Sequence, residues 1–118
     1  MQKGFRGLKA WQSAYNLALA IYKITKSFPK EEQYGLVSQI QRASVSVSAN
    51  IAEGYERQHR KEYVQYLNIA RGSLGEVETY LLFSKDLGYI REEQYNELEI
   101  IRQEAGRLLK GLINSLMP

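Results

Sequence analysis

The sequence predicts an all-α protein, an antiparallel up-down-up-down four-helix bundle, on three observations. Apolar residues recur at spacings of three and four in four successive windows, the connections between those windows are short, and no alternating run is long enough to build a sheet. The 118 residues suffice for one compact domain with its own core and are too few for two ordinary ones. Residues 1–118 are therefore read as a single bundle with helices near 8–27, 31–54, 60–87 and 91–116.

In the first window Leu8, Trp11, Ala14, Tyr15, Leu17, Ala18, Ile21, Tyr22, Ile24 and Phe28 cover an arc of roughly 200° at 100° per residue, more than one bundle seam requires. Tyr15 and Tyr22 lie inside that arc and are expected to pack rather than to stack on bases. Pro29, followed by Glu31 and Glu32, supplies a first-turn proline and acids for the positive end of the second helix.

Residues 44–48 read SVSVS, the alternation of a half-buried strand. The longer window decides against a strand, because Val37, Ile40, Ser44, Val47, Ile51 and Gly54 keep the helical spacing and nothing elsewhere offers a pairing partner. In the third window Tyr63, Leu67, Ala70, Leu74, Val77, Leu81 and Ser84 stand at heptad positions, and Gly88 is placed to end the helix in a left-handed conformation. The fourth carries Leu98, Ile101, Ala105, Leu108, Leu109, Leu112 and Leu116 on one face, with glutamates early and Arg107 and Lys110 late, as the helix dipole favours.

Residues 33–52 hold a single charge, Arg42, over about 30 Å of helix. Their serines, glutamines and Asn50 rule out a bilayer span, and a solvated face would carry lysine or glutamate. Burial against protein on several sides is the expectation. Ser38, Val45, Ala49 and Ala52 form a stripe of small side chains on this helix, and Asn68, Gly72, Gly75 and Thr79 form another on the third, suited to close approach of backbones. One bundle cannot cover both the wide arc and this uncharged helix, so copies of the chain are expected to associate as a homo-oligomer. A polar cluster of Gln39, Arg42, Asn50 and Glu53 on the second helix with Arg71 and Glu78 on the third is expected to form a buried network that sets register. Arg42 and Glu53 stand about 16 Å apart along one helix and need partners from elsewhere.

Catalytic constellations are sparse. Cysteine is absent, which removes disulfides and thiolate chemistry and fits a reducing cytoplasm, and the first residues lack the apolar run of a signal peptide. His59 is the only histidine. Glu56 and His59 have the E-x-x-H spacing of di-iron bundles, but one copy at a helix junction falls short of the four-helix ligand set, and a solvated histidine is expected. GFRG and ARGSLG match neither a phosphate-binding loop nor a dinucleotide fingerprint. No enzyme, cofactor or metal is inferred.

Charge is more informative. Lys3, Arg6, Lys9, Lys23, Lys26 and Lys30 give residues 1–30 a charge of +6 with no acid, so the other 88 residues sum to −3 of the net +3. Lys9, Lys23, Lys26 and Lys30, with Arg57, Arg60 and Lys61 at the second junction, are the candidate contacts to nucleic-acid phosphates, presented repeatedly around an oligomer.

The stretches LKAWQSAYNLALAIYKITKSFP, QIQRASVSVSANIAEGYER, YLNIARGSLGEVETYL and DLGYI resemble, in order and spacing, the bacterial 23S rRNA intervening sequence proteins over nearly the whole chain. The most specific signature is met by Arg42, Ala43, Ser46, Asn50, Ile51, Ala52, Glu53 and Gly54. A second is met by Ala70, Arg71, Gly72, Ser73, Glu76 and Thr79. Relatives often carry two arginines before the alanine, where this chain has Gln41 and Arg42. The resemblance implies a bundle that assembles into a ring, with a pentamer as the expectation. It also covers accessory proteins of diversity-generating retroelements, which resemble basic rings binding nucleic acid and a reverse transcriptase. The leading expectation is a non-enzymatic oligomeric scaffold that binds RNA or a nucleoprotein. The alternatives are a protein-interaction adaptor without nucleic-acid contact and, third, a metal-dependent enzyme.

Overall fold

The computed structural model describes residues 4–118, so Lys3 lies outside the described residues. Four helices follow in order: α1 (Lys9–Thr25), α2 (Leu36–Tyr55), α3 (Arg60–Asp86) and α4 (Glu92–Leu116), with no strand among the described residues. A 3-10 turn, Gly4–Gly7, precedes α1 and another, Lys30–Glu32, precedes α2.

Each helix packs on its two neighbours in the order α1, α2, α3, α4 and back to α1. Cross-helix pairs fix the antiparallel sense. Gln41 donates to the Thr25 hydroxyl across α1–α2, the Ser46 and Ser73 hydroxyls meet at 2.9 Å across α2–α3, and Arg102 reaches Glu78 across α3–α4. The molecule is a rod of 44 × 28 × 25 Å.

The periodic residues line the core. Val37, Ile40, Ser44, Val47, Ile51 and Gly54 of α2 are all buried, as are Leu67, Ala70, Leu74, Val77, Leu81 and Ser84 of α3. Leu17, Ile21, Leu67, Leu81 and Leu109 are at most 1% exposed, and burial of each is worth about 1.5–3 kcal/mol. Serine is tolerated inside because its hydroxyl turns back on its own helix. Ser44 donates to the Gln41 carbonyl, Ser48 to Val45 and Ser84 to Tyr80, so none of these three hydroxyls is left without a partner, whereas the Tyr63 hydroxyl is buried without one. The SVSVS stretch is thus helical, with Val47 in the core and Val45 outward.

The start of α2 differs from the sequence expectation. The helix opens at Leu36, not near residue 31, because Glu32 caps it from outside. One Glu32 carboxylate oxygen accepts the Leu36 amide at 3.1 Å and the other accepts the Tyr89 hydroxyl at 2.7 Å. The Tyr89 hydrogen bond, then the Leu36 amide, holds the Glu32 carboxyl below its ordinary pKa. The Tyr89 ring also meets Phe28 at 5.4 Å, so the α1–α2 and α3–α4 connections are joined at one end of the rod. Gly88, at φ +80°, places Tyr89 there. Its amide bonds the Lys85 carbonyl while the Tyr89 amide bonds Ser84, a Schellman ending that a left-handed glycine permits.

The close approach of α2 and α3 occurs at Gly54, not along the expected small stripes. A Cβ there would stand 2.8 Å from Tyr66 Cβ and 2.9 Å from Tyr63 Cδ1. Gly72 and Gly75 face open space within the protomer, where an added Cβ meets nothing within 4 Å. No helix of the described residues is long and apolar enough to cross a membrane.

Gly54→Ala is expected to lower the unfolding free energy by roughly 1–3 kcal/mol through overpacking, whereas Gly72→Ala raises it by about 0.5–1 kcal/mol through helix propensity. Urea midpoints of the two variants, moving in opposite directions, check this. Because the folded pKa of Glu32 is depressed, its contribution is present above the ordinary 4.5 and is lost as pH falls through the folded value. The difference in urea midpoint between wild type and Glu32→Gln should therefore shrink on acidification below that pH.

Candidate functional site

All seven candidate phosphate contacts are exposed, but the fold divides them. In the antiparallel bundle the N-terminus of α1 lies level with the α2–α3 junction. Lys9, Arg57, Arg60 and Lys61 therefore share one end of the rod, and Lys23, Lys26 and Lys30 the other. Lys9 and Lys23 stand about 21 Å apart along α1. They also lean to a different side from Arg57. Lys9 and Lys23 border the α1–α4 groove, a cleft of about 670 Å³ beside Lys9 and Glu104 and one of about 420 Å³ beside Lys23 and Glu97. Arg57 sits on the α2–α3 side. A single continuous cationic patch is not formed within one protomer.

The seven also differ in freedom. The Arg57 guanidinium donates to Glu53 at 2.7 Å and to the Tyr66 hydroxyl at 2.7 Å, and lies 4.8 Å from the Tyr66 ring centre. Lys9, Lys23, Lys26, Lys30, Arg60 and Lys61 make no ion pair with any described acid. For Lys9 and Lys23 the acid-free α1 explains this, since their helical neighbours at i±3 and i±4 offer no carboxylate.

The expected buried polar network is corrected. Gln39 accepts a long bond from the Tyr80 hydroxyl at 3.4 Å, Asn50 donates to the Ser46 carbonyl and hydroxyl, and Glu53 pairs with Arg57. Arg42 and Arg71 are exposed and pair with no described acid. Glu78 points to α4 instead of α2, where it meets Arg102 at 3.3 Å. The reason is rotational: on the α3 wheel Arg71 and Glu78 fall on the α4 side of the core stripe, whereas Ser73 and Tyr80 fall toward α2.

The ion pair that the fold does shelter was not singled out from sequence. Arg102 donates to both Glu99 oxygens, at 2.6 and 2.9 Å, with side chains 13% and 11% exposed. Hydrogen bonding to Glu99 pushes the Arg102 pKa up, against the desolvation that opposes it. Glu and Arg three apart beside Leu98 and Ile101 was the available signal. Burial, and secondarily the Glu99 charge, raises the pKa of the nearby Tyr95, whose ring lies 4.7 Å from Lys85 Nζ. Glu56 and His59 flank the α2–α3 turn, both exposed, and no three metal-binding side chains converge among the described residues.

Tyr15 and Tyr22 lie at the edge of the arc that one protomer leaves uncovered. Within the protomer they lie 45% and 44% exposed on the outward face of α1, with Leu19 at 53%. The bundle covers only part of the 200° arc, and its edge faces out. Beside them on α2 the outward residues are Val45, 42% exposed, with Ala49 and the half-buried Ala52. Large side chains on α1 thus border small ones on α2, and acids enter this face only at its α2 end, with the exposed Glu53 and Glu56.

Fold and surface together define a small antiparallel four-helix-bundle protein with an uncovered apolar face and a cationic first helix. A profile of the family described as "23S rRNA-intervening sequence protein" matches residues 6–111, and the chain belongs to that family. It is also similar, at 28% identity and a TM-score of 0.82, to a protein of unknown function from the S23 ribosomal protein family of Bacteroides thetaiotaomicron. That likeness covers 89% of this chain and 95% of the other. Comparison with curated proteins gave no match.

Arg102→Ala leaves Glu99 charged and sheltered without its partner and is expected to cost about 2–3 kcal/mol of unfolding free energy. Replacing both Glu99 and Arg102 by leucine should recover most of that loss, while Arg91→Ala, at an exposed pair with Glu93, shifts it by about 0.5 kcal/mol or less. Chemical denaturation of the three variants separates these outcomes.

Proposed function

We propose that the chain is a non-enzymatic homo-oligomeric scaffold in the cytoplasm whose cationic surface contacts RNA or a nucleoprotein such as a reverse transcriptase. The observation that carries the reading is the outward α1–α2 face. Leu19, Tyr22, Val45 and Ala49 expose a contiguous apolar strip, and strips of this kind are commonly interfaces. Knobs on α1 beside small residues on α2 suit helix packing against another copy. A ring, five-fold as the resemblance implies, would repeat both ends of each rod and bring separated lysines into one cationic surface. Six unpaired cations per copy then serve as phosphate contacts.

A second reading has its own observation. Glu32, Leu36, Tyr80, Phe83 and Leu87 line a shallow, mostly apolar hollow at the C-terminal end of α3, with Phe83 and Leu87 55% and 54% exposed, on the α2–α3 side of the rod end that also carries Lys23, Lys26 and Lys30. That patch suits a protein partner, as an adaptor would require. Pull-downs repeated after nuclease treatment distinguish the readings, since an RNA-bridged partner is lost and a direct one is kept.

Sedimentation at micromolar concentration should show an assembly, and Tyr22→Glu with Val45→Glu should reduce it to the 13.6 kDa chain. A wild type that sediments at that mass sinks the oligomer. Binding of mixed RNA should fall steeply with salt, and replacing Lys23, Lys26 and Lys30 by glutamine should reduce the log–log salt slope by about 2, at roughly 0.7 per single-strand phosphate contact. An unchanged slope removes these lysines from the contact.

A further inference from the structure

We propose that the start of α1 carries a stacking cleft for an unpaired nucleobase of single-stranded RNA, an inference that rests on the RNA-binding reading above and names the part of the RNA this site would take. The Trp11 and Tyr15 rings are stacked, with centroids 4.9 Å apart and planes 19° apart, and Phe5 leans on Trp11 at 5.3 Å and 59°. These rings do not all sink into the core: Tyr15 is 45% exposed, and Phe5 and Trp11 are half-buried. Together with Arg6, Gln12 and Asn16 they line a cleft of about 560 Å³, within the range of about 300–1,000 Å³ typical of small-ligand sites.

Three kinds of group meet there, and each matches one part of a nucleotide. The aromatic faces offer a sequence-tolerant stacking surface. Beside them, Asn16 and Gln12 present carboxamides to the edge of a stacked base. Gln12 uses its amide nitrogen to hold the Arg6 carbonyl at 2.8 Å, which ties the Gly4–Gly7 turn to α1 and keeps Phe5 against Trp11, and its amide oxygen is left to accept from a base. Arg6 is exposed at the mouth of the cleft and Lys9 one turn on, and no acid occurs in the first thirty residues to repel a phosphate. A purely apolar interface patch has no use for two carboxamides and two cations around a ring stack. A purely electrostatic surface has no use for the rings.

Trp11 is the sole tryptophan, so its emission reports on the cleft directly when excited at the red edge of its band. The full-length protein is titrated at low salt with a short oligouridylate and, separately, with an abasic oligonucleotide of equal length, both end-labelled for anisotropy. The oligouridylate should quench Trp11 emission and bind about 5- to 150-fold more tightly than the abasic strand, the span expected for stacking one base. Tyr15→Ala should remove most of that preference while leaving abasic binding unchanged. If Tyr15→Ala does not fold, as judged by circular dichroism, the wild-type comparison of the two strands still decides. Equal affinity for both strands, or binding without quenching of Trp11, overturns the cleft and leaves the RNA reading standing. Failure of both strands to bind at low salt overturns the two together.

Discussion

The bundle depends on how closely α2 can approach α3, and that is set at Gly54. With no side chain at this position, the backbone of α2 lies against Tyr63 and Tyr66 at distances any Cβ would violate. Once this end of the pair is fixed, the Ser46–Ser73 and Gln39–Tyr80 contacts follow in register along the same seam. The far end is fixed by a different device, the Glu32–Tyr89 hydrogen bond between the two connections. Both ends of the rod are therefore pinned by specific contacts rather than by burial alone.

This arrangement shapes the surface. Serines that bond back to their own helix let α2 pass through the core seam without charge, and the outward side of the same helix is left nearly neutral. Next to it, α1 has no acid and shows three large side chains to solvent. The result is a face whose apolar character is a property of two helices together, bounded by cations at both ends. The stacked rings near the start of α1 belong to the same helix, so the face suited to self-association and the cleft suited to a base are neighbours.

The charged groups show how little a one-dimensional reading says about pairing. Arg71 and Glu78 share a face of α3, and proximity on that face suggested partners on α2. A rotation of the α3 stripe toward α4 gave Glu78 to Arg102 instead and left Arg71 in water. Likewise the lysines of α1 appear continuous in sequence, yet a helix rises 1.5 Å per residue and turns 100°, so Lys9 and Lys23 reach different ends of the molecule.

The sequence by itself determined the number of helices, their order and the buried stripes of α2 and α3, while in α4 the expected face was rotated, with Ile113 and Glu99 buried and Ile101, Leu108, Leu112 and Leu116 only partly so. Apolar periodicity is a local property, and each window carries it independently of the others: the α2 and α3 stripes were legible residue by residue, as was the left-handed Gly88 ending. Only the tertiary structure decided where α2 begins, which part of the wide α1 arc stays uncovered, which acid Arg102 meets and that three aromatic rings gather beside two carboxamides. Those outcomes depend on the rotation and depth of one helix against another, set by Gly54, Glu32 and Tyr89 acting across the bundle. No spacing within a single helix encodes them.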